Sequence, residues 1–307
     1  MNFFRVLQVV LPIAVPVMLG IFFKRKQILS AACVAGMKTL VMQFGIPCLL
    51  FNAYLTCSFG GETVLTMGLV LLLTLVLAFI AFWLRKTARW NYHNLPMMFA
   101  VTEGGFGVPM MLALFGIVHT FRIAAMDLAQ TLVGVPIITI LSADIADGPR
   151  LKQILKKLVT VPVMIGMLLG LVFNFSGLGR ILEPSGALGV ITSATEAVAA
   201  PVSTLLLLCV GYEFCVSPGN RKDVLTMAVG HVVIRAIFCG IIQLVLLSIP
   251  GMAMETRWAV VLFSFLPPSF LTINLGKTDR ENGVAASVCS LCTFGTILVY
   301  CVIAVFA

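Results

Sequence analysis

Five ionisable side chains fall inside long apolar stretches of the sequence, and their chemistry is the first pointer to function. Three are acids that can exchange a proton or bind a cation: Glu103, Asp127 and Glu196. His231 and Arg235 are basic and four residues apart, so a helix would place both on one face. Residues of these types, held away from water, could bind an anion and exchange a proton.

No pattern typical of an enzyme accompanies these residues. The sequence contains no HExxH, GxSxG or Walker A motif, and only 3 histidines. Cys289 and Cys292 have CxxC spacing, but they lie in an apolar stretch with no second cysteine pair, which favours a packing role. We therefore expect no enzyme activity, no metal site and no cofactor beyond a proton or sodium as coupling ion.

The composition places these ionisable residues inside a membrane. Of the 307 residues, 60% are hydrophobic and only 10% are charged, whereas soluble domains average about 25% charged residues. At about 20 apolar residues per membrane helix, the chain has room for about ten spans. The sequence therefore predicts an all-α integral membrane protein with ten transmembrane helices.

The apolar stretches and the basic loops predict where the spans lie and how they are oriented. The ten predicted spans are 4–23, 31–56, 62–84, 94–117, 120–142, 159–177, 187–212, 223–249, 257–276 and 284–306. Most Lys and Arg residues fall in alternate connections, such as Lys24–Lys26, Arg85–Arg89 and Arg150–Lys157. Because positive loops face the cytoplasm, we expect a multi-pass cell membrane protein with both termini outside. The net charge of +8 follows from these loops, and no nucleic acid partner is expected.

A short motif recurs between the two halves of the chain. VPVMLG at Val15–Gly20 returns as VPVMIG at Val161–Gly166. Five spans per half is an odd number, so the second half would enter the membrane in the opposite direction. This predicts two inverted five-helix repeats, residues 1–153 and 154–307.

Predicted spans 4 and 9 are the two most interrupted by glycine and proline. Span 4 contains TEGGFGVP at Thr102–Pro109, and span 9 contains FLPPS at Phe265–Ser269. Interrupted helices at matching positions of inverted repeats are typical of transporter binding sites. Their N–H ends favour anionic groups, and their C=O ends favour cations.

The order and spacing of these motifs resemble the auxin efflux carrier family, which includes plant auxin exporters and bacterial malonate-type carriers. The motifs are GxxGxP at Gly104–Pro109, Ala199–Pro201, Pro267–Pro268 and Ala285–Thr293, and the resemblance covers the whole chain. It implies a ten-helix fold, similar to that of bile-acid sodium symporters and sodium/proton antiporters, in which spans 4 and 9 cross at the substrate. It also implies a scaffold of spans 1, 2, 6 and 7 and a mobile core of spans 3–5 and 8–10.

The motifs and the intramembrane polar residues together assign two sets of site residues. The expected substrate-binding residues are Thr102, Gly104, Gly107, Pro109, Arg235, Pro267, Pro268 and Asn274. The expected residues for proton or ion coupling are Glu103, Asp127, Glu196 and His231. The alternative for Glu103, Arg235 and His231 is a structural ion cluster between two core helices. The alternative for Asp127 and Glu196 is a position in an outer vestibule.

Three residues, Thr102, Glu103 and Lys38, qualify this assignment. Members of the family often carry Asn where this chain has Thr102, and Glu103 beside it is unusual for them. Lys38 lies about 10 Å inside span 2, and its long side chain is expected to reach the membrane interface.

The leading hypothesis is a secondary active transporter that carries a small organic anion by elevator-type alternating access. Contacts with membrane lipid and a homodimer through the scaffold are compatible with it. The alternative within transport is a cation/proton antiporter of the same fold. It should place paired acids at the crossing, whereas the sequence shows only Glu103 there and no acid in Pro267–Asn274. The alternative outside transport is a transporter-like membrane sensor, which should carry an output domain that the short loops leave no room for.

Thiol labelling tests the predicted orientation. In a variant lacking the 9 native cysteines, single cysteines beside Lys24, Lys86 and Lys156 should react only from the cytoplasmic side. Single cysteines near either terminus should react with an impermeant reagent in right-side-out vesicles, because basic loops are retained inside. A C-terminal cysteine that reacts only from the cytoplasm would contradict the ten-span count.

Overall fold

The computed structural model describes residues 3–57, 60–87, 95–142, 162–214, 221–269, 272 and 278–306. Helices joined by short turns make up nearly all of this part of the chain, which contains no β-strand. The all-α class predicted from the sequence is therefore confirmed.

The described residues of the first half form six α-helices and two short segments of other helical types. The α-helices are α1 (Phe3–Arg25), α2 (Ala31–Leu40), α3 (Ile46–Leu55), α4 (Gly61–Thr87), α5 (Gly104–Phe115) and α6 (Ile117–Ser142). A π-helical segment, Val41–Gly45, joins α2 to α3, and a 3-10 helix, Leu95–Phe99, precedes α5.

The second half forms seven α-helices among its described residues. They are α7 (Pro162–Phe175), α8 (Leu178–Leu182), α9 (Ala187–Ala199), α10 (Val202–Glu213), α11 (Arg221–Leu247), α12 (Met254–Ser264) and α13 (Asp279–Phe306). Proline has no N–H to donate, and the break between α9 and α10 falls at Pro201.

Several helical segments have the length and composition of membrane spans. Five qualify within the described residues: Ala31–Leu55, Gly61–Leu84, Ala187–Glu213, Arg221–Leu247 and Asp279–Phe306. Large apolar side chains such as Phe79 and Leu298 are about 70% exposed on their outer faces, as expected where lipid replaces water. The membrane class is thus supported, while the ten-span inverted repeat stays a prediction.

Close helix crossings explain the recurring VPVMxG motif. A side chain at Gly20 would overlap the main chain of α10 at Leu208, and one at Gly166 would overlap the main chain of α3 at Pro47. Membrane helices associate through such small residues because their backbones can then approach closely. The last residue of the motif therefore has the same packing role in α1 and in α7.

The helices pack in two groups, with the interrupted segments between them. In one group α1 packs on α10, and α3 packs on α7 and α9. In the other, α4 and α5 pack on α6, and α11 packs on α12 and α13. Contacts of α1 with α13 and of α10 with α5 join the groups, so they meet beside the interruptions of predicted spans 4 and 9.

Alanine substitutions at two helical glycines test the close crossings. Gly166→Ala should lower thermal stability, because the new methyl group meets the Pro47 backbone, and overpacking typically costs about 1–3 kcal/mol. Gly240→Ala in α11 is the matched control, since nothing lies within 4 Å of its added carbon. Alanine is the better helix former, so this control should hold or gain stability. Equal melting temperatures for the two variants would refute the close crossing of α3 and α7.

Candidate functional site

The interruption of predicted span 4 separates a short 3-10 helix from α5. The 3-10 helix ends at Phe99 and α5 begins at Gly104, so residues 100–103 leave the helical path. Glu103 is the residue immediately before α5, with φ −87° and ψ 83°. The sequence placed a helix break here, and the structure has one.

The interruption of predicted span 9 follows α12. That helix ends at Ser264, and the chain continues irregularly through Pro267 and Pro268. Two successive prolines remove two backbone donors and exclude a regular helix. The helix therefore ends three residues before the double proline, and the interruption that the sequence predicts in span 9 is present.

The two interruptions pair with each other through their backbones. Thr102 and Pro268 form an isolated antiparallel bridge. The Glu103 N–H donates to the Pro267 carbonyl at 2.8 Å, and the Ser269 N–H donates to the Val101 carbonyl at 3.0 Å. Unpaired backbone groups inside a membrane cost several kcal/mol each, so this bridge stabilises both breaks. We call the residues from Val101 to Gly104 and from Pro267 to Ser269 the crossing.

Gln130 of α6 fixes the crossing from one side. Its amide oxygen accepts from the Thr102 N–H at 3.3 Å and the Thr102 hydroxyl at 3.2 Å, and its amide nitrogen donates to the Thr102 carbonyl at 2.7 Å. Gln130 and Thr102 are both fully buried. Thr102 is therefore held by another side chain at each of its polar groups, which is a structural role.

Two carboxylates meet at the start of α5. A side chain at Gly104 would overlap the Asp127 carboxylate, which also accepts from the Gln130 amide at 3.1 Å. Glu103 accepts from the Ser269 hydroxyl at 3.3 Å. The sequence placed Glu103 in span 4 and Asp127 towards the outer end of span 5. The structure brings both to the first turn of one half-helix, whose free N–H groups favour negative charge.

The basic residues of α11 lie at the carbonyl ends of the interrupted segments. Arg235 donates from Nη2 to the Phe99 carbonyl at 3.1 Å, and the His231 Nε2 is 3.3 Å from the Leu266 carbonyl. Both side chains are at most 2% exposed. A cation is stabilised at a helix C-terminus, so Arg235 complements the carbonyl end at Phe99, while His231 contacts the Leu266 carbonyl through a ring nitrogen.

Glu103 has different hydrogen-bond partners from Arg235 and His231, so the contacts do not show the cluster of these three side chains. The hydrogen bond of Arg235 within the described residues goes to Phe99, and its Nε and Nη1 atoms are buried without a partner there. Glu103 lies on the N–H side of the break, and Arg235 lies on its C=O side.

The remaining predicted site residues are distributed unevenly. Gly107 faces Leu266 across the crossing, at 2.8 Å from an added carbon, and Pro109 is buried within α5. Glu196 is exposed on α9, away from the crossing. Asn274 lies outside the described residues.

A cavity of about 940 Å³ leads from the crossing to the ends of α1 and α2. Glu103 and Ser269 line the deep end of the cavity, at the crossing. Lys24 lines the opposite end, on the side predicted to be cytoplasmic. Lys38 and Glu213 line it between these ends and form an ion pair at 2.8 Å.

Lys38 and Glu213 were not recognised as site residues from the sequence. Lys38 was expected to extend to the membrane interface, whereas it pairs across the cavity wall with α10. Glu213 lies one residue beyond predicted span 7, where an acid has no special meaning. The two residues are 175 positions apart, so no local sequence pattern can indicate that they pair, and only the fold brings them together.

Comparisons with known proteins add no assignment to this geometry. No protein-family model matches the chain, and no curated protein matches it either. The resemblance to the auxin efflux carriers therefore rests on the motifs alone.

A double-mutant cycle tests the separation of Arg235 from Glu103. Arg235→Gln should destabilise the protein by removing the cap on the Phe99 carbonyl, and Glu103→Gln should have a smaller effect. Because the two side chains have different partners, the double variant should equal the sum of the single variants within about 0.5 kcal/mol. Thermal unfolding of the purified proteins measures this. Recovery of stability in the double variant would instead establish a direct ion pair.

Proposed function

We propose that the protein is a secondary active transporter of the auxin efflux carrier type, which moves a small organic anion across the cell membrane by elevator-type alternating access. The observation that carries the proposal is the backbone-paired crossing at the inner end of a large cavity. Broken helices are tolerated in membranes only where they face protein or line a cavity, and such breaks form transporter binding sites.

The helix packing supports the inverted repeat that this proposal requires. In the first half, predicted span 1 (α1) packs on predicted span 7 (α10). In the second half, the equivalent predicted span 6 (α7) packs on predicted span 2 (α3), so the two contacts correspond. The contact of α4 with α6 likewise has a counterpart in α11 with α13. A duplicated unit inserted in opposite directions would produce such paired contacts.

The position of the cavity supports alternating access. It lies between the α1, α2 and α10 wall, which carries Lys38 and Glu213, and the crossing, which carries Glu103 and Ser269. These walls belong to the two packing groups, the proposed scaffold and the proposed mobile core. Sliding the core against the scaffold would carry the crossing from the cytoplasmic side towards the outer side.

The charges in this cavity support an anionic substrate and a coupling proton or sodium ion. Lys24 and Lys38 supply positive charge along the route, and the first N–H groups of α5 lie at its inner end. Glu103 and Asp127 supply carboxylates that can take up a proton or a cation with the anion. A secondary carrier needs such a group, since it must draw on a gradient.

The paired acids also favour a second candidate, a cation/proton antiporter of the same fold. That alternative requires two acids at the crossing, and Asp127 joins Glu103 there. In this case the two carboxylates would hold the transported cation, and the organic anion would have no part.

Uptake into proteoliposomes tests the proposal and separates it from the antiporter. We expect accumulation of a labelled mono- or dicarboxylate such as malonate, and its rate should depend on either the pH gradient or sodium. Sodium/proton exchange without uptake of any carboxylate would favour the antiporter. If the folded, reconstituted protein shows neither activity, both candidate functions are refuted.

The crossing itself is tested by enlarging Gly107. Gly107→Leu should abolish uptake while expression persists, because its first added carbon already lies 2.8 Å from Leu266 Cδ1 and 3.2 Å from Ile123 Cγ2. Gly240→Leu is the control, since that position faces open space. Full uptake by Gly107→Leu would remove the crossing from the transport pathway.

A further inference from the structure

The ion pair between Lys38 and Glu213 has a geometry suited to exchange. The Lys38 ammonium lies 2.9 Å from Oε1 and 2.8 Å from Oε2 of Glu213, so it binds the carboxylate through both oxygens. The two side chains remain 27% and 41% exposed, and both residues line the cavity. A carboxylate group is thus already seated on a lysine that a molecule in the cavity can reach.

The backbone of predicted span 2 is irregular next to this lysine. The π-helical segment Val41–Gly45 begins three residues after Lys38, and the Val41 N–H is shared between the Lys38 and Met37 carbonyls. A π-segment inserts an extra residue into a helix and changes the direction of the side chains on either side of it. Lys38 and Met42 line the cavity, whereas Gln43 and Pro47 line a separate apolar groove.

Among the described residues, two other cations, Arg235 and Lys24, are less suited to bind an anion in the cavity. Arg235 is 1% exposed, and it is engaged at the Phe99 carbonyl behind the crossing. Lys24 is exposed in the last turn of α1 and donates to the Phe214 carbonyl at 2.8 Å. Charges exposed to water are screened by salt, so Lys24 can attract an anion but holds it weakly.

We propose that Lys38 is the anion-recognition residue of the cavity and that the carboxylate of a small organic acid replaces Glu213 on its ammonium group. This inference rests on the proposed function and identifies the residue that binds the negatively charged group of the substrate. Glu213 is the resident counter-ion that keeps Lys38 paired when the cavity holds no substrate.

The exchange requires little reorganisation. A solvent-exposed ion pair contributes little to stability, so Glu213 can turn to water in the cavity while a second carboxylate takes its place. The cavity of about 940 Å³ lies at the upper end of the range for small-molecule sites. A molecule held by Lys38 therefore has room to extend towards Ser269 at the crossing and Thr293 of α13.

Equilibrium binding to the purified full-length protein tests this proposal. The probes are malonate and phenylacetate, and their uncharged amides, malonamide and phenylacetamide, serve as controls. Lys38→Met should weaken binding of the carboxylates about tenfold or more, since one charge-assisted hydrogen bond is lost. It should leave binding of the amides unchanged. Lys38→Arg should retain most of the carboxylate affinity.

The Glu213 variants give the readout that a merely structural ion pair would not. Glu213→Gln should tighten carboxylate binding severalfold, because the competing carboxylate is gone. The double variant Lys38→Met/Glu213→Gln should bind as weakly as Lys38→Met. Lys222→Met removes a positive charge from the same end of the protein, at an exposed position of α11, and should bind like the unaltered protein.

The failures of the two proposals are distinguishable. If the unaltered protein binds a carboxylate and folded Lys38→Met binds it within twofold, the role of Lys38 is overturned and the carrier proposal stands. Restored affinity in the double variant would also overturn it, because the pair would then be structural only. If the folded, unaltered protein binds no carboxylate of a wider panel at either of two pH values, with or without sodium, the organic anion carrier itself is refuted.

Discussion

The constraint on which this structure depends is that backbone groups at two helix breaks must find partners inside an apolar interior. The antiparallel bridge between the breaks satisfies some of them. Gln130 takes both backbone groups of Thr102, and Arg235 and His231 lie at the carbonyls where the helical segments end. Because an unpaired group in this setting costs several kcal/mol, these side chains are committed to holding the crossing. Among the described polar groups that line the cavity, the side chains of Lys38 and Glu213 remain 27% and 41% exposed and so can be reached by a ligand.

The places where the helices break could be predicted from the sequence, because glycine and proline act through local backbone geometry. Gly104 and Pro267 indicate the two breaks in the amino-acid sequence, and the structure has a break at each position. That the breaks meet was expected only from the repeat and the family resemblance. The bonds that join them depend on the tilt and rotation of helices far apart in sequence, which no local pattern records.

The depth of a residue in the membrane can be predicted by counting residues along its helix. The direction in which its side chain points cannot be predicted in this way. Arg235 falls inside an apolar stretch and is 1% exposed, yet its described hydrogen bond is to a backbone carbonyl and not to Glu103. The depth of Asp127 in span 5 is compatible with its position in α6, but the sequence did not show that its side chain lies against Gly104. Lys38 was expected at the interface, but the helix before the π-segment directs it to Glu213. In each case the missing information is the rotation of one helix against another.

The charges of the cavity connect the proposed anion site with the paired acids. Lys24 and Lys38 face Glu103 and Glu213 among the described lining residues, so these two positive and two negative groups balance before a ligand enters. A bound monoanion adds one negative charge, and a proton taken up at Glu103 or Asp127 would restore the balance. Net transfer of the monoanion together with one proton would do no work against the potential, whereas one uncompensated charge meets about 2.3 kcal/mol per 100 mV. The acids that suggest cation transport when considered alone therefore also meet the electrical requirement of an anion carrier.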